Sequence, residues 1–496
     1  MILLGIDVGS SSVKLSIFDA GSGRSIASAQ YPKQEMKIVS HKPGWAEQNP
    51  EDWWQNIVFG LKELSHEKKI DLSQITAIGI TYQMHGLICV DKNQNVIRPS
   101  IIWCDSRAVD IGNNAFSELG SDKCLTSLLN SPGNFTASKL KWVKDNEPEL
   151  FSEIYKIMLP GDYIAMRLTG IINTTITGLS EGIFWDFPNH SLAIFLLNYY
   201  GISPELIPDI VPTFGNQGTV LPKVASELGL KSGIPVTYRA GDQPNNAFSL
   251  NVLKPGEIAA TAGTSGVVYG VTDQYEYDTK SRVNIFAHVN HSVKNARLGV
   301  LLCINGTGIL NSWVQKNIGI KKLGYSEMDD EASHIPIGSN GLIIIPFGNG
   351  AERVIENRNP GCHISNLNFN LHRSADLYRA AQEGIAFSFK YGIDIMSEHT
   401  GLHVSQIRAG HTNMFLSPVF RDTLAGICQV PIDLYNTDGS EGAARGAGVG
   451  SGIFKSFEDA FTSLEKHSTV HPDISRKVEF IDSYQRWYHE LMNMLN

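Results

Sequence analysis

Two segments in opposite halves of the chain follow one plan: an apolar strand, a turn of Gly, Ser and Thr, and a second apolar strand. The first runs Ile2-Leu3-Leu4-Gly5-Ile6-Asp7 into the turn Gly9-Ser10-Ser11-Ser12, then on through residues 13–18. There Val13, Leu15 and Ile17 alternate, as a strand with one buried face requires. The second is Ala259-Ala260-Thr261-Ala262-Gly263-Thr264-Ser265-Gly266-Val267-Val268-Tyr269. A hairpin used twice predicts two lobes of similar design, each presenting one small-residue turn. A length of 496 residues agrees, because a single core rarely serves a chain beyond ~250–300 residues. Leu253-Lys254-Pro255-Gly256 supplies a turn between the halves. The expected division is a first lobe over 1–247, a second over 248–455, and a helical tail over 456–496 packed on them.

The stretches beside the hairpins read as alternating helices and strands. Asn49 is placed to cap a helix, with Pro50, Glu51 and Asp52 in its first turn. Trp53, Trp54, Ile57, Val58, Leu61 and Leu64 then recur at helical spacing, which gives an amphipathic helix over 49–64. Ile75–Tyr82 reads as a strand delivering the polar cluster Gln83-Met84-His85-Gly86. A further strand over 234–240 leads to Asp242, with Pro244 in the first turn of a following helix. Such alternation is the mark of an α/β protein.

Charge and cysteine usage exclude several classes of function. The net charge is −9, from 41 Lys and Arg against 50 Asp and Glu, and no basic run offers a surface to nucleic acid or to a membrane. The 6 cysteines are scattered without a CxxC pair or zinc-site spacing, so they read as free thiols in a reducing compartment. Asp7 interrupts the first apolar run, which therefore does not read as a signal peptide. No stretch approaches the ~20 apolar residues that span a bilayer. A cytoplasmic location is expected.

Four constellations carry chemistry. Turns of Gly, Ser and Thr expose successive backbone N–H groups and admit close approach, as a polyphosphate needs. Ser10, Ser11, Ser12, Thr264 and Ser265 add hydroxyl donors. Small residues also make tight hairpins with no ligand at all; the matching pair is what favours phosphate. Asp7 ends an apolar strand just before the first turn, where a bare carboxylate is costly. Its compensating charge is either Lys14 or a metal ion such as magnesium. Asp242 stands at the C-terminal end of a strand, where α/β sheets bind ligands and where it can take a proton from a hydroxyl. It is equally suited to capping the helix that follows. Gln83, Met84 and His85, with Trp103, Asp105 and Arg107, have the makings of a polyol pocket: fixed polar groups for hydroxyls, an aromatic face for C–H surface. A lone His or Trp is as often structural.

These motifs resemble the FGGY carbohydrate kinases and, within them, the xylulokinases, over nearly the whole chain. Ile6-Asp7-Val8-Gly9-Ser10-Ser11-Ser12-Val13-Lys14 is similar to the family's first phosphate motif, and Ala262-Gly263-Thr264-Ser265-Gly266 to the second. Gly241-Asp242-Gln243 matches the catalytic aspartate segment, and residues 133–146 resemble the first family signature. Gly44-Trp45-Ala46-Glu47-Gln48-Asn49-Pro50, Gln83-Met84-His85-Gly86 and Ile102-Trp103-Cys104-Asp105-Ser106-Arg107 point to the xylulose-phosphorylating members. The resemblance implies two actin-like, ribonuclease H-like α/β lobes with an ATP cleft between them. It implies ATP and Mg2+ as cofactors and a homodimer. It gives Asp242 as base, Met84 and His85 as sugar contacts and Asp105 as shaping the same pocket; Gln83 and Trp103 join the sugar-binding residues, and Asp7 is the magnesium residue, on the reading of the residues themselves. Gly9, Ser10, Ser11, Ser12, Lys14, Gly263, Thr264, Ser265 and Gly410 take the nucleotide.

Two departures stand out. Where the family has a run of glycines for the adenosine, this chain reads Ala409-Gly410-His411-Thr412-Asn413. Either Gly410 holds a glycine position or an insertion aligns Thr412-Asn413 with it. The second family signature, around 362–383, carries Asn366 where a glycine is usual. The expected reaction is in-line transfer of the γ-phosphoryl of MgATP to a terminal hydroxyl of an open-chain ketose, D-xylulose first. Other readings are a kinase for ribulose or a sugar acid, an actin-like or chaperone-like ATPase, and a non-catalytic sugar sensor.

Overall fold

A computed structural model describes residues 1–319 and 323–496. Contacts divide the chain into two compact units. One comprises Met1–Asn251, Phe286–Arg297 and Thr437–Leu464; the other Val252–Ile285, Leu298–Asn436 and Glu465–Asn496.

The first unit is built on a five-stranded sheet in the order Val236–Gly241, Ile75–Tyr82, Ile2–Val8, Val13–Asp19, Arg24–Tyr31. The last three form an antiparallel meander, with Val8 opposite Val13 and Asp7 opposite Lys14. Ile75–Tyr82 runs parallel to Ile2–Val8, and Val236–Gly241 parallel to Ile75–Tyr82. Three strand C-termini therefore fall at one edge: Val8 aligns with Tyr82, and Tyr82 with Gly241. That edge is where a parallel sheet presents its ligands.

Strand alternation gives the two faces of this sheet different neighbours. Leu4, Ile6, Leu15 and Ile17 join Trp53, Trp54, Ile57 and Leu61 of the helix Pro50–Lys62 in one buried core. Asn49 caps that helix, accepting from the Glu51 N–H at 3.1 Å. On the other face Gly5 and Gly79 lie side by side in register, leaving bare backbone. The helix Gly439–Gly450 settles directly on it. A Cβ at Gly5 would lie 1.8 Å from the Ser440 carbonyl oxygen, and one at Gly79 would lie 1.9 Å from that of Ala443. Close helix–sheet packing thus accounts for the run of small residues at 439–448. It also places 437–464 in the first unit, whereas the sequence division assigned this stretch partly to the second lobe and partly to the tail.

The second unit repeats the plan. Leu298–Ile304, Gly266–Thr272 and Glu257–Ala262 form an antiparallel meander, and Gln406–Gly410 and Ile432–Tyr435 follow in parallel. Strand order and directions match those of the first sheet, with Lys466–Val470 added antiparallel at the edge. The helix Ser374–Thr400 packs on this sheet, where a Cβ at Gly392 would meet Leu302 at 2.0 Å. Lys477–Leu495 is the helix expected in the tail, anchored by Trp487, whose Nε1 donates to the Ile344 carbonyl at 2.9 Å. Among the described residues no helix is long and apolar enough to cross a membrane. The fold is α/β with two units of actin-like topology.

Candidate active site

The first hairpin turn is closed by the Gly9 N–H donating to the Ser12 carbonyl at 3.0 Å. Two further carbonyls of the turn are engaged: Ser10 accepts from Gln48 Nε2 at 2.6 Å, and Ser11 from the Met36 N–H at 2.8 Å. Gln30 Nε2 reaches Ser12 Oγ at 3.0 Å. Asp7 lies at the strand end beside this turn and at the start of the helix Gly439–Gly450, where a Cβ at Gly439 would sit 2.5 Å from Asp7 Oδ2. Burial raises the Asp7 carboxyl to about 7, and the Asp242 and Asp438 carboxylates push the same way. Lys14, its cross-strand partner, opposes that rise without cancelling it.

Asp242 occupies the first position of the helix Asp242–Ser249, with Gly241 rather than Asp242 itself as the cap. Loss of hydration raises its carboxyl to about 6, although hydrogen bonds from Gln243 lower it. Both aspartates remain partly open to solvent. Gly241 has no room for a side chain: a Cβ there would lie 2.4 Å from Glu181 Oε2 and 2.6 Å from Met84 Cγ.

The Gln83–Gly86 loop leaves the middle strand at the same edge. The Gln83 N–H donates to the Val8 carbonyl at 2.8 Å, and its Nε2 to Gln48 Oε1 at 3.1 Å. Gln48 thus joins this loop to the phosphate-type turn. His85 takes φ +63°, a left-handed conformation uncommon outside glycine. Its Nδ1 lies 2.9 Å from the Glu181 carbonyl oxygen, and its ring is flanked by Phe135 at 4.8 Å and Phe286 at 5.3 Å. The buried Lys139 donates from Nζ to the His85 carbonyl at 2.9 Å and the Ile102 carbonyl at 3.0 Å. Burial pulls its ammonium down to about 7.

Trp103 and Asp105, both expected at the sugar, differ in kind. Trp103 is 53 % exposed, and its Nε1 reaches Ser10 Oγ at 3.4 Å. Asp105 is fully buried, and its carboxylate is engaged by its own loop and by the segment at Ala46. It accepts from the Ala46 N–H at 2.5 Å and from Arg107 Nε and Nη2 at 3.0 and 2.7 Å. The Arg107 guanidinium is in turn held 3.8 Å from the Trp45 ring and 4.7 Å from that of Trp142. Asp105 therefore fixes the loop that carries Trp103 and presents no free oxygen to a ligand.

Sequence reasoning passed over Glu181 and Gln48. Glu181 ends the helix Ile176–Glu181 and is raised well above the usual carboxyl range, by burial first and by Asp242 and Asp162 next. It was discoverable, being the one charged residue in 170–185. Gln48 lay inside a segment already quoted for resemblance, but its hydrogen bonds join elements distant in sequence.

In the second unit the turn 263–265 receives the start of the helix Gly308–Asn317: the Gly308 N–H donates to the Gly263 carbonyl at 2.9 Å, and that of Ile309 to Thr264 at 3.1 Å. Beside the turn is a hollow of about 640 Å3, with Gly263, Thr264, Lys316, Tyr325, Thr412 and Asn413 in its wall. Ser265 is exposed at the turn, and Gly410 ends its strand. His411 stacks on His467 with ring centroids 3.7 Å apart. Asn413 has φ +53°, a conformation glycine adopts freely. Asn413 thus supplies in backbone terms what a glycine would.

A family model for the N-terminal domain of the FGGY carbohydrate kinases matches residues 2–249, and one for the C-terminal domain matches 258–449. The chain is 29% identical over 480 residues to a xylulose kinase of Bacillus subtilis, covering 92% of this chain and 90% of the relative. Among solved structures, a xylulose kinase from Rhodospirillum rubrum superposes with a TM-score of 0.88 at 24% identity, covering 100% of both chains. A gluconate kinase from Lactobacillus acidophilus gives 0.89 at 21% identity, covering 100% of this chain and 98% of the other. With both domain models matched in order along the chain, it belongs to the FGGY family of carbohydrate kinases.

Proposed function

We propose that this carbohydrate kinase phosphorylates D-xylulose to D-xylulose 5-phosphate at the expense of ATP, with Asp242 as the base. The observation that carries this reading is the meeting of Asp242, Met84 and His85 at the C-terminal edge of the first sheet, beside the Gly9–Ser12 turn. Asp242 accepts the proton of the acceptor hydroxyl as that oxygen forms its bond to the γ-phosphorus and the bond to the departing ADP breaks. A carboxyl raised to about 6 is ionised at neutral pH, yet more basic than an ordinary aspartate.

The turn's N–H groups and hydroxyls take phosphate oxygens, and the hollow of the second unit takes the adenosine. Asp7 is the residue to hold magnesium: its oxygens are the hard donors this ion takes, it is partly open, and burial beside two further carboxylates leaves it in need of a cation. When bound, the ion neutralises charge on the transferring phosphate. Met84 and His85 line the acceptor's place, and the Phe135 and Phe286 rings about His85 help to exclude the water that would otherwise compete.

The test is ADP release with MgATP and a panel of D-xylulose, ribulose, glycerol and gluconate, comparing wild type with Asp242→Ala. Turnover greatest on D-xylulose, and lower by about 10²-fold or more in the variant, is expected. Turnover greatest on another sugar would keep the mechanism and overturn the substrate; turnover undiminished in the variant would overturn the base.

A further inference from the structure

Glu181 has no role in the scheme above, yet its placement is costly. The side chain is 1 % exposed, and its Oε1 makes no hydrogen bond. The Tyr82 hydroxyl is close enough to influence its ionisation, but that hydroxyl is also without a hydrogen-bond partner of good geometry. The His85 N–H also donates to the carboxylate, which leaves Oε1 as the buried oxygen without a partner, unfavourable in either protonation state. Its surroundings are those of the acceptor. Oε2 lies against Gly241, next to Asp242, at the place where Met84 Cγ also closes in. The Glu181 carbonyl is tied to His85 Nδ1 at 2.9 Å.

The backbone around it is rigidly specified. Ser180 Oγ accepts from the Ala287 N–H at 2.9 Å, beside the Phe286 that flanks His85. Two residues on, Ile183 takes φ +62°, a strained conformation for a β-branched side chain. The Gly182 carbonyl is fixed by the Ala137 N–H at 3.0 Å. Strain and an unpaired polar atom in one segment are features a fold retains where a ligand completes them.

We propose that Glu181 is a substrate-binding residue that reads a hydroxyl of the acceptor close to the one that reacts. A sugar hydroxyl both donates and accepts, so it partners the carboxyl whether or not the latter carries a proton. Bound there, the acceptor supplies the missing partner of Oε1 and is held against Asp242. This rests on the proposed kinase reading, though not on which sugar is the substrate.

The experiment compares wild type, Glu181→Met and Glu181→Gln on whichever panel sugar wild type turns over best, and on deoxy analogues of it. Methionine is similar in size and removes the polar atoms; glutamine keeps hydrogen-bonding capacity and serves as the folding control. Glu181→Met should raise the KM for the sugar by about 10-fold, leave that for MgATP within about twofold, and melt no lower than wild type. One deoxy analogue should lose about as much kcat/KM in wild type, and Glu181→Met should then cost little more on it. An unchanged sugar KM in Glu181→Met, or equal further losses on every deoxy analogue, would overturn the proposal while leaving the kinase reading intact. A wild type that turns over no sugar would overturn both.

Discussion

Asp242 and Asp7 are held in a state the unfolded chain does not share, and the consequence is visible in pH. Both carboxyls are raised, to about 6 and about 7, so the folded protein binds these protons more tightly than the unfolded chain does. Their contribution to stability is fully present below the ordinary carboxyl value of 3.8 and is lost as pH climbs through 6 to 7. Asp242→Asn should therefore raise Tm at pH 8 and leave it nearly unchanged at pH 4, by calorimetry at both. With Asp242 as the proposed base, activity runs the other way, since a base must be ionised: kcat/KM for the sugar should fall about tenfold per unit as pH drops below about 6. A profile flat down to pH 4.5 would remove Asp242 from that role. At this scale the sequence was informative about residue type and silent about pairing. Asp7, Met84, His85 and Asp242 are brought to one sheet edge; Asp105, of equal promise on paper, spends its oxygens on Arg107 and Ala46. Which carboxylate stays free is decided by neighbours in space, and sequence spacing does not report those.

Among the elements, the helix Gly439–Gly450 illustrates how a chemical motif and a packing motif can look alike. Its run of glycines and alanines, of a kind that a nucleotide site also favours, brings helix backbone onto sheet backbone at Gly5 and Gly79. Gly79→Ala should accordingly cost about 1–3 kcal/mol by the ordinary penalty for overpacking, read from the urea midpoint, because its Cβ would meet a carbonyl and no flexible side chain can yield. A cost under ~0.5 kcal/mol would mean that helix and sheet are not so tightly apposed. The helix over 49–64 and the strand Ile75–Tyr82 were plain from periodicity because packing and local preference agree there. The helix Ile176–Glu181 gave no such signal: six residues are too few for a period, and its cap, Thr175 accepting from the Gly178 N–H at 3.1 Å, is one of three threonines at 174, 175 and 177.

For the molecule as a whole, the duplicated hairpin foretold a repeated sheet, and the two units agree in strand order and direction. The same repetition predicts divided labour. His85→Ala should raise the KM for the sugar by about 10-fold or more with little change for MgATP, and Asn413→Leu, crowding the hollow of the second unit, should do the reverse. Parallel shifts in both constants for either variant would deny that division. What the sequence did not disclose is the path of the chain, which leaves the first unit after residue 251 and returns to it at 286 and again at 437. Translation gives that itinerary a meaning in time. The sheet begun by Ile2–Val8 stays open on its Gly5 and Gly79 face until the stretch near residue 450 has emerged, so residues 9–438 are all synthesised before that layer can close. A gene cut at the apparent midpoint would yield a half without its cover, and the two halves of this kinase are not cassettes that can be exchanged.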